Sequence, residues 1–216
     1  MCKAHWQGMF TSGTLVWGVD ILNCNPPFFH ISDRGKKTLE NISRDPMNSD
    51  GYMAYLQQSA TLSPVAQSYI NEALRVYAAN CYKATAVMVG VCVEEIAVGL
   101  AQAVSERLVV LGRPANAKLS DWRIKAVLDE ISFVLTTALG IEIKLNKNQA
   151  TIKLKEAFDY NWPSMTHMIR ANRNSAGHPG SIDPVTWEDV HSSLLIFPHI
   201  AKIAGQLTIW VSSANL

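Results

Sequence analysis

Ala84-Thr-Ala-Val-Met-Val-Gly-Val-Cys-Val-Glu-Glu-Ile-Ala97 is the stretch whose reading decides the fold. A helix on a protein surface carries one apolar stripe, whereas a helix apolar on several sides belongs in the middle of a bundle. The most hydrophobic part, Ala84 to Val93, meets Glu94 and Glu95 after ten residues, which is too short to cross a bilayer of about 30 Å. We therefore read a buried helix from Lys83 to Leu111, the central rod of a helical bundle.

The flanking segments supply its neighbours. Upstream, Ser63-Pro64 offers an N-cap and a first-turn proline, followed by Ile70, Ala73, Leu74, Tyr77 and Cys81 at helical spacing. A shorter helix is expected around Tyr52 to Gln58. Downstream, Ser120-Asp121 opens a helix with the stripe Ile124, Val127, Leu128, Ile131, Val134 and Leu135, and Gly140 ends it. Residues 141–155 alternate apolar and polar side chains, which suggests a small hairpin or a loop carrying lysines 144, 147, 153 and 155. Those lysines fit a solvated loop better than a strip that tracks phosphates. Trp162-Pro163 precedes a helix with Met165, Met168, Ile169, Arg170 and Arg173, and Gly177-His-Pro179 stops it. Asp183-Pro184 starts a last amphipathic helix that Pro198 kinks or breaks. The expected fold is mainly α: an antiparallel bundle of four to five helices over residues 52–216, behind a small β appendage at the N-terminus.

The first 45 residues differ in character. Thr14-Leu-Val-Trp-Gly-Val19 and Pro27-Phe-Phe-His-Ile31 read as short strands, separated by the turn material Asn23-Cys-Asn-Pro-Pro27. Ser32 or Asp33 caps a helix through Lys37, Leu39 and Ile42. Phe28-Phe-His-Ile-Ser-Asp-Arg-Gly-Lys-Lys-Thr-Leu-Glu40 is similar to the last wing strand and following helix of winged-helix domains. Only the wing has a counterpart, because the segment before Thr14 is too short for the helices that enter a DNA groove. DNA binding is therefore not carried over, although a fragment of a winged-helix regulator is one alternative function. Residues 43–51, rich in turn formers, are the expected linker.

Composition narrows the class. The chain has 216 residues, 48% hydrophobic, and a net charge of +1, so any nucleic-acid contact must be local rather than a global basic field. Its four cysteines (Cys2, Cys24, Cys81 and Cys92) form no C-x-x-C pair and no zinc spacing, as expected of free thiols in a reducing cytosol. No basic stretch followed by an apolar run marks a signal peptide. We expect a cytoplasmic protein with no membrane segment, no metal and no cofactor.

Function is written most densely in Ile169-Arg-Ala-Asn-Arg-Asn-Ser-Ala-Gly-His-Pro-Gly180. Arg173 offers a permanent charge and a donor fork that matches phosphate oxygens. His178 is a side chain that gives or takes a proton near neutrality. Asn174 adds a neutral hydrogen-bonding group beside the arginine. A plain alternative exists, because arginines complement the negative end of a helix and glycine with proline is an ordinary stop signal.

The pattern Arg173-Asn174-Ser175-Ala176-Gly177-His178 resembles the signature of HEPN domains, an arginine followed by a polar residue and then a histidine after four to six positions. The small-residue-rich run Ala84 to Ala97, ending in Glu, resembles an early helix of bacterial members, and coverage is roughly residues 60 to 212. The resemblance implies a four-helix core with the motif just before the last helix, and metal-independent RNA cleavage in catalytic members. It further implies two protomers whose motifs line one cleft. Arg173 would then hold the scissile phosphate, His178 would act as general base or acid, and Asn174 would orient phosphate or imidazole. Arg170 and Glu95 are the expected further substrate contacts. Expected partners are RNA or a nucleotide, a second copy of the chain, and an antitoxin or nucleotidyltransferase; a non-catalytic binding or docking module is the competing function.

Overall fold

The computed structural model describes residues 3–11, 13–20, 22–33, 35–36, 43–114, 116–177 and 184–216, without the side chains of residues 3–5. It divides into two compact units, Met1–Tyr55 and Leu56–Leu216. Among the described residues there are seven α-helices and one two-stranded sheet.

In the first unit, α1 (Lys3–Thr11) precedes an antiparallel pair, β1 (Leu15–Trp17) and β2 (Phe29–Ile31), in the register Leu15 to Ile31 and Trp17 to Phe29. The two strands thus lie where alternation and turn residues put them. The segment before Thr14 holds one helix, tied down by Trp6 and Phe10: Phe10 stacks on Trp17 at 4.0 Å, and Trp6 meets Phe29 edge-on at 4.7 Å. Ser32 caps the turn that follows, its Oγ accepting from the Gly35 N–H at 2.9 Å. Lys37, Leu39 and Ile42, the expected continuation of that helix, lie outside the described residues.

A helix α2 (Ser49–Ser59) runs from the first unit into the second. The second unit is then all helical: α3 (Pro64–Ala78), α4 (Tyr82–Val110), a 3-10 turn (Ala117–Ser120), α5 (Ile124–Asn146), α6 (Gln149–Gly177) and α7 (Trp187–Val211). Ser63 is the N-cap of α3, with Pro64 in its first turn and the Ser63 Oγ accepting from the Ala66 N–H at 3.0 Å. Helix α4 is the central rod and touches α3, α5, α6 and α7. Its buried side chains (Val89, Cys92, Val93, Ala97, Leu100 and Val104 among them) point in several directions, which is what an all-round apolar helix requires.

Several expectations need correction. Residues 141–155 form neither a hairpin nor a lysine loop. Helix α5 continues through Gly140 to Asn146, and α6 starts at Gln149 after a two-residue connection. Lys147 takes the left-handed conformation (φ 48°) that ends α5, and Asn148 Oδ1 accepts from the Ala150 N–H to begin α6. The alternation of Ile141, Ile143 and Leu145 was a local coincidence. The governing pattern is the inward stripe Thr151, Phe158, Trp162, Thr166 and Ile169, spaced by threes and fours once the half-buried Leu154 is included. That stripe carries α6 straight through Pro163, which sits inside the helix rather than before it. Gly140 and Pro163 each cost helix stability, roughly 1 and 3 kcal/mol in isolation, and tertiary burial overrides both. Asp121 does not open α5; its carboxylate, held down to about 2 by hydrogen bonds from Arg123, closes a local turn, and the helix begins at Ile124. Helix α7 begins at Trp187, three residues after the expected Pro184 start, because Thr186 and Asp189 form a reciprocal capping box; Asp183 lies outside the described residues. Pro198 is buried inside α7 without ending it.

The short apolar run is also only part of its helix. Tyr82–Val110 and Trp187–Val211 are each long and apolar enough to cross a membrane by length and composition, and in each the most apolar window is half buried within the fold.

Candidate functional site

Arg173 sits on α6 one step beyond Ile169 in the inward stripe, so its aliphatic stem meets the bundle while its head reaches solvent. Its side chain stays 38% exposed. Opposite it on α4 is Gly90, where a Cβ would fall 2.4 Å from both Cβ and Cγ of Arg173. The glycine is therefore what lets the arginine stem lie flat against the central helix. Gly177 lies against Val87 in the same way, its hypothetical Cβ 3.9 Å from a Val87 methyl. These two pairings set α4 and α6 antiparallel, and the register places Glu94 one turn along, at the level of Arg170.

Glu94 closes the arrangement. Its Oε2 is 3.7 Å from Arg173 Nη2, while its Oε1 is buried and has no hydrogen-bond partner among the described residues. Arg170 is similar, with a buried Nε that lacks a partner among the described residues. Glu94 is thus the acidic partner of Arg173, at 3.7 Å, and Arg170 lies one turn earlier on the same helix as Arg173. Asn174 is exposed, and its Oδ1 accepts from Arg173 Nη1 at 3.1 Å. On the neighbouring face Asn172 Nδ2 donates to Ser193 Oγ at 3.2 Å, fastening the end of α6 to α7.

Of the expected site residues, Arg173, Asn174 and Arg170 come together on the last turns of α6. Glu95 does not join them. One residue on from Glu94, it is rotated by about 100° around α4 and accepts from Ser63 Oγ at 3.0 Å. There it lines a different feature, a groove of about 530 Å³ bounded by residues 57–63, α4 and α7. The acidic residue of the arginine site is Glu94. His178 follows Gly177 in the chain and lies outside the described residues.

The remaining candidates resolve as structural groups. His191 Nδ1 is 2.7 Å from Tyr77 Oη, and its ring stacks on Trp187 at 4.4 Å. Lys155 is paired with Asp159 on α6, and lysines 144 and 153 also lie on helices, so no lysine loop exists to follow a phosphate chain. Cys24 and Cys81 are exposed free thiols, while burial, followed by the Glu95 charge, pushes the Cys92 thiol far up. No cluster of three His, Cys, Asp or Glu side chains suited to a metal occurs among the described residues.

Gly90 is the residue of this candidate site that the motif does not announce. Its signal in the sequence is slight: α4 holds two glycines, Gly90 and Gly99, and Gly90 is the one four residues before a carboxylate. Comparison of the chain with protein-family models, with curated proteins and with solved structures finds no match. The side chains themselves carry the functional reading.

Proposed function

We propose that the helical unit is a metal-independent endoribonuclease of HEPN type. The observation that carries this reading is the inward placement of Arg173. An arginine that only complements a helix dipole has no need of a glycine cradle on the next helix, nor of a half-buried carboxylate to aim it. Here Gly90 makes room for the stem, Glu94 and Asn174 fix the head, and Arg170 raises the local charge.

In this mechanism Arg173 binds a non-bridging oxygen of the scissile phosphate and stabilises the charge that grows there. His178 takes the proton of the ribose 2′-hydroxyl, whose oxygen attacks the adjacent phosphorus. The bond from phosphorus to the 5′-oxygen breaks, and that oxygen leaves with a proton taken from water. The products are a 2′,3′-cyclic phosphate and a 5′-hydroxyl. The nucleophile comes from the RNA itself, so DNA, which lacks it, is not a substrate. Pairing of two chains would bring two such motifs into one cleft. A role in toxin, defence or stress biology, and cytoplasmic residence, follow from the same reading.

One observation favours a second reading, a non-catalytic RNA- or nucleotide-binding module. Arg173 already has Glu94 and Asn174 as partners, and an arginine so held can serve as a pin between α4 and α6. The test separates the two. Wild-type protein, Arg173→Ala and His178→Ala are incubated with mixed RNA in the presence of a chelator, and folding is followed by circular dichroism. The nuclease reading expects wild type to cut and both folded variants to lose cleavage. Uncut RNA that is nonetheless bound by wild type supports the module instead.

A further inference from the structure

Helices α4 and α7 run side by side in the same direction. At one end Tyr77, in the last turn of α3, meets both Tyr82 at the start of α4 and His191 near the start of α7. At the other end Arg107 Nε of α4 donates to the Ala214 carbonyl at 2.6 Å. Gly99 and Gly205 therefore lie roughly level, and both line the groove of about 530 Å³ between the two helices and residues 57–63. Glycine weakens a helix interior, and a close neighbour can account for it, as Arg173 does for Gly90. Nothing lies within 4 Å of the Cβ position of either Gly99 or Gly205. What this pair provides, together with Ala201 and Ala204, is depth. Every lining residue belongs to the second compact unit.

Two opposite charges stand at this groove without meeting. Glu95 Oε1 accepts from Ser63 Oγ at 3.0 Å, and Ser63 is itself fixed as the N-cap of α3. The other carboxylate oxygen has no partner among the described residues. Lys202 of α7 is exposed and forms no ion pair among the described residues. The rest of the lining is largely apolar, with Leu62, Ile96, Leu100 and Ile209.

These features select a ligand. The volume is that of a small-molecule site. Along the helices the groove runs from Glu95 to Leu100 on α4 and from Ala201 to Ile209 on α7, about 8–12 Å, which is too short for a long acyl chain. A phosphate or other plain anion would face Glu95, and a plain cation would face Lys202. A zwitterion satisfies both groups, its ammonium on Glu95 and its carboxylate on Lys202, while an apolar side chain fills the space over the two glycines. We infer that the groove between α4 and α7 binds a free α-amino acid with an apolar side chain. This site is separate from the arginine site and stands whether or not RNA is cut.

The experiment is isothermal titration calorimetry of the full chain with L-leucine and L-phenylalanine. L-leucinamide, which lacks the carboxylate, and N-acetyl-L-leucine, which lacks the ammonium, are titrated beside them. One amino acid per chain should bind, and each derivative should bind at least about tenfold more weakly. Gly205→Leu, which fills the groove, should abolish binding. Lys202→Gln and Glu95→Gln change side chains at the groove surface and keep an acceptor for Ser63; with folding verified by circular dichroism, each should weaken binding by at least about tenfold. Failure of both amino acids to bind the wild type overturns the inference. So does a derivative that binds as tightly as L-leucine, or unchanged affinity in the folded Lys202→Gln and Glu95→Gln variants.

Discussion

Gly90→Ala tests the contact between α4 and α6 where it is tightest. The added Cβ would lie 2.4 Å from Cβ and Cγ of Arg173, whereas carbon atoms pack comfortably at about 3.5–4.0 Å. One helix, or the arginine, must therefore retreat by roughly 1–1.5 Å. Overpacking of this kind costs about 1–3 kcal/mol, and alanine returns about 0.8–1.0 kcal/mol in helix propensity over glycine. The net expectation is a loss of about 0–2 kcal/mol, or a fall in Tm of up to about 8 °C for a chain of this size. Gly99→Ala provides the contrast, because nothing lies within 4 Å of its Cβ position. There the propensity gain of up to about 1 kcal/mol stands alone and Tm should rise. On the nuclease reading, a displacement of about 1 Å at the Arg173 guanidinium should also lower RNA cleavage by about a hundredfold, with Gly99→Ala at wild-type rate. Thermal unfolding and a chelated cleavage assay on both variants give the answer. If Gly90→Ala stabilises the fold as much as Gly99→Ala and cuts as fast as wild type, Arg173 does not lie against Gly90 and the site is drawn wrongly.

Four further outcomes are expected. Glu94→Gln should lower cleavage by about tenfold through looser placement of Arg173, while Glu95→Gln should not change it; equal effects would mean that the two carboxylates share a site after all. Cys24 and Cys81 should react with a thiol reagent in the native state and Cys92 only on unfolding. Because burial raises the Cys92 pKa in the folded chain, its contribution to stability is complete below the ordinary thiol pKa of about 8.5 and declines as pH rises above it. A Cys92→Ala variant that lost stability just as steeply above that pH would refute this. Thr186→Ala should remove the cap of α7 at a cost of about 1 kcal/mol, read as a drop of about 2–4 °C in Tm; an unchanged Tm would show that the capping box contributes nothing.

The central helix, the cap at Ser63-Pro64 and the two short strands were all legible in the sequence, because each rests on local chemistry. An all-round apolar run has one stable location, and serine before proline has one good geometry at a helix start. The boundaries that misled were those where tertiary packing outweighs local preference. Gly140 and Pro163 are breakers by propensity, yet the inward faces of α5 and α6 bury enough side chains to carry both helices through them. The arginine motif could be picked out by residue type alone. Its acidic partner could not, since choosing between Glu94 and Glu95 requires the rotation of α4 relative to α6. Only the packing of Gly90 against Arg173 settles that rotation.

The nuclease account is tested most directly by the ends of the RNA fragments released by wild-type protein in the presence of a chelator. It predicts fragments ending in a 2′,3′-cyclic phosphate, each followed by a fragment beginning with a 5′-hydroxyl, and no cleavage where the attacking nucleotide is 2′-deoxy. Fragments with a 5′-phosphate, or equal cutting at the 2′-deoxy position, would contradict it.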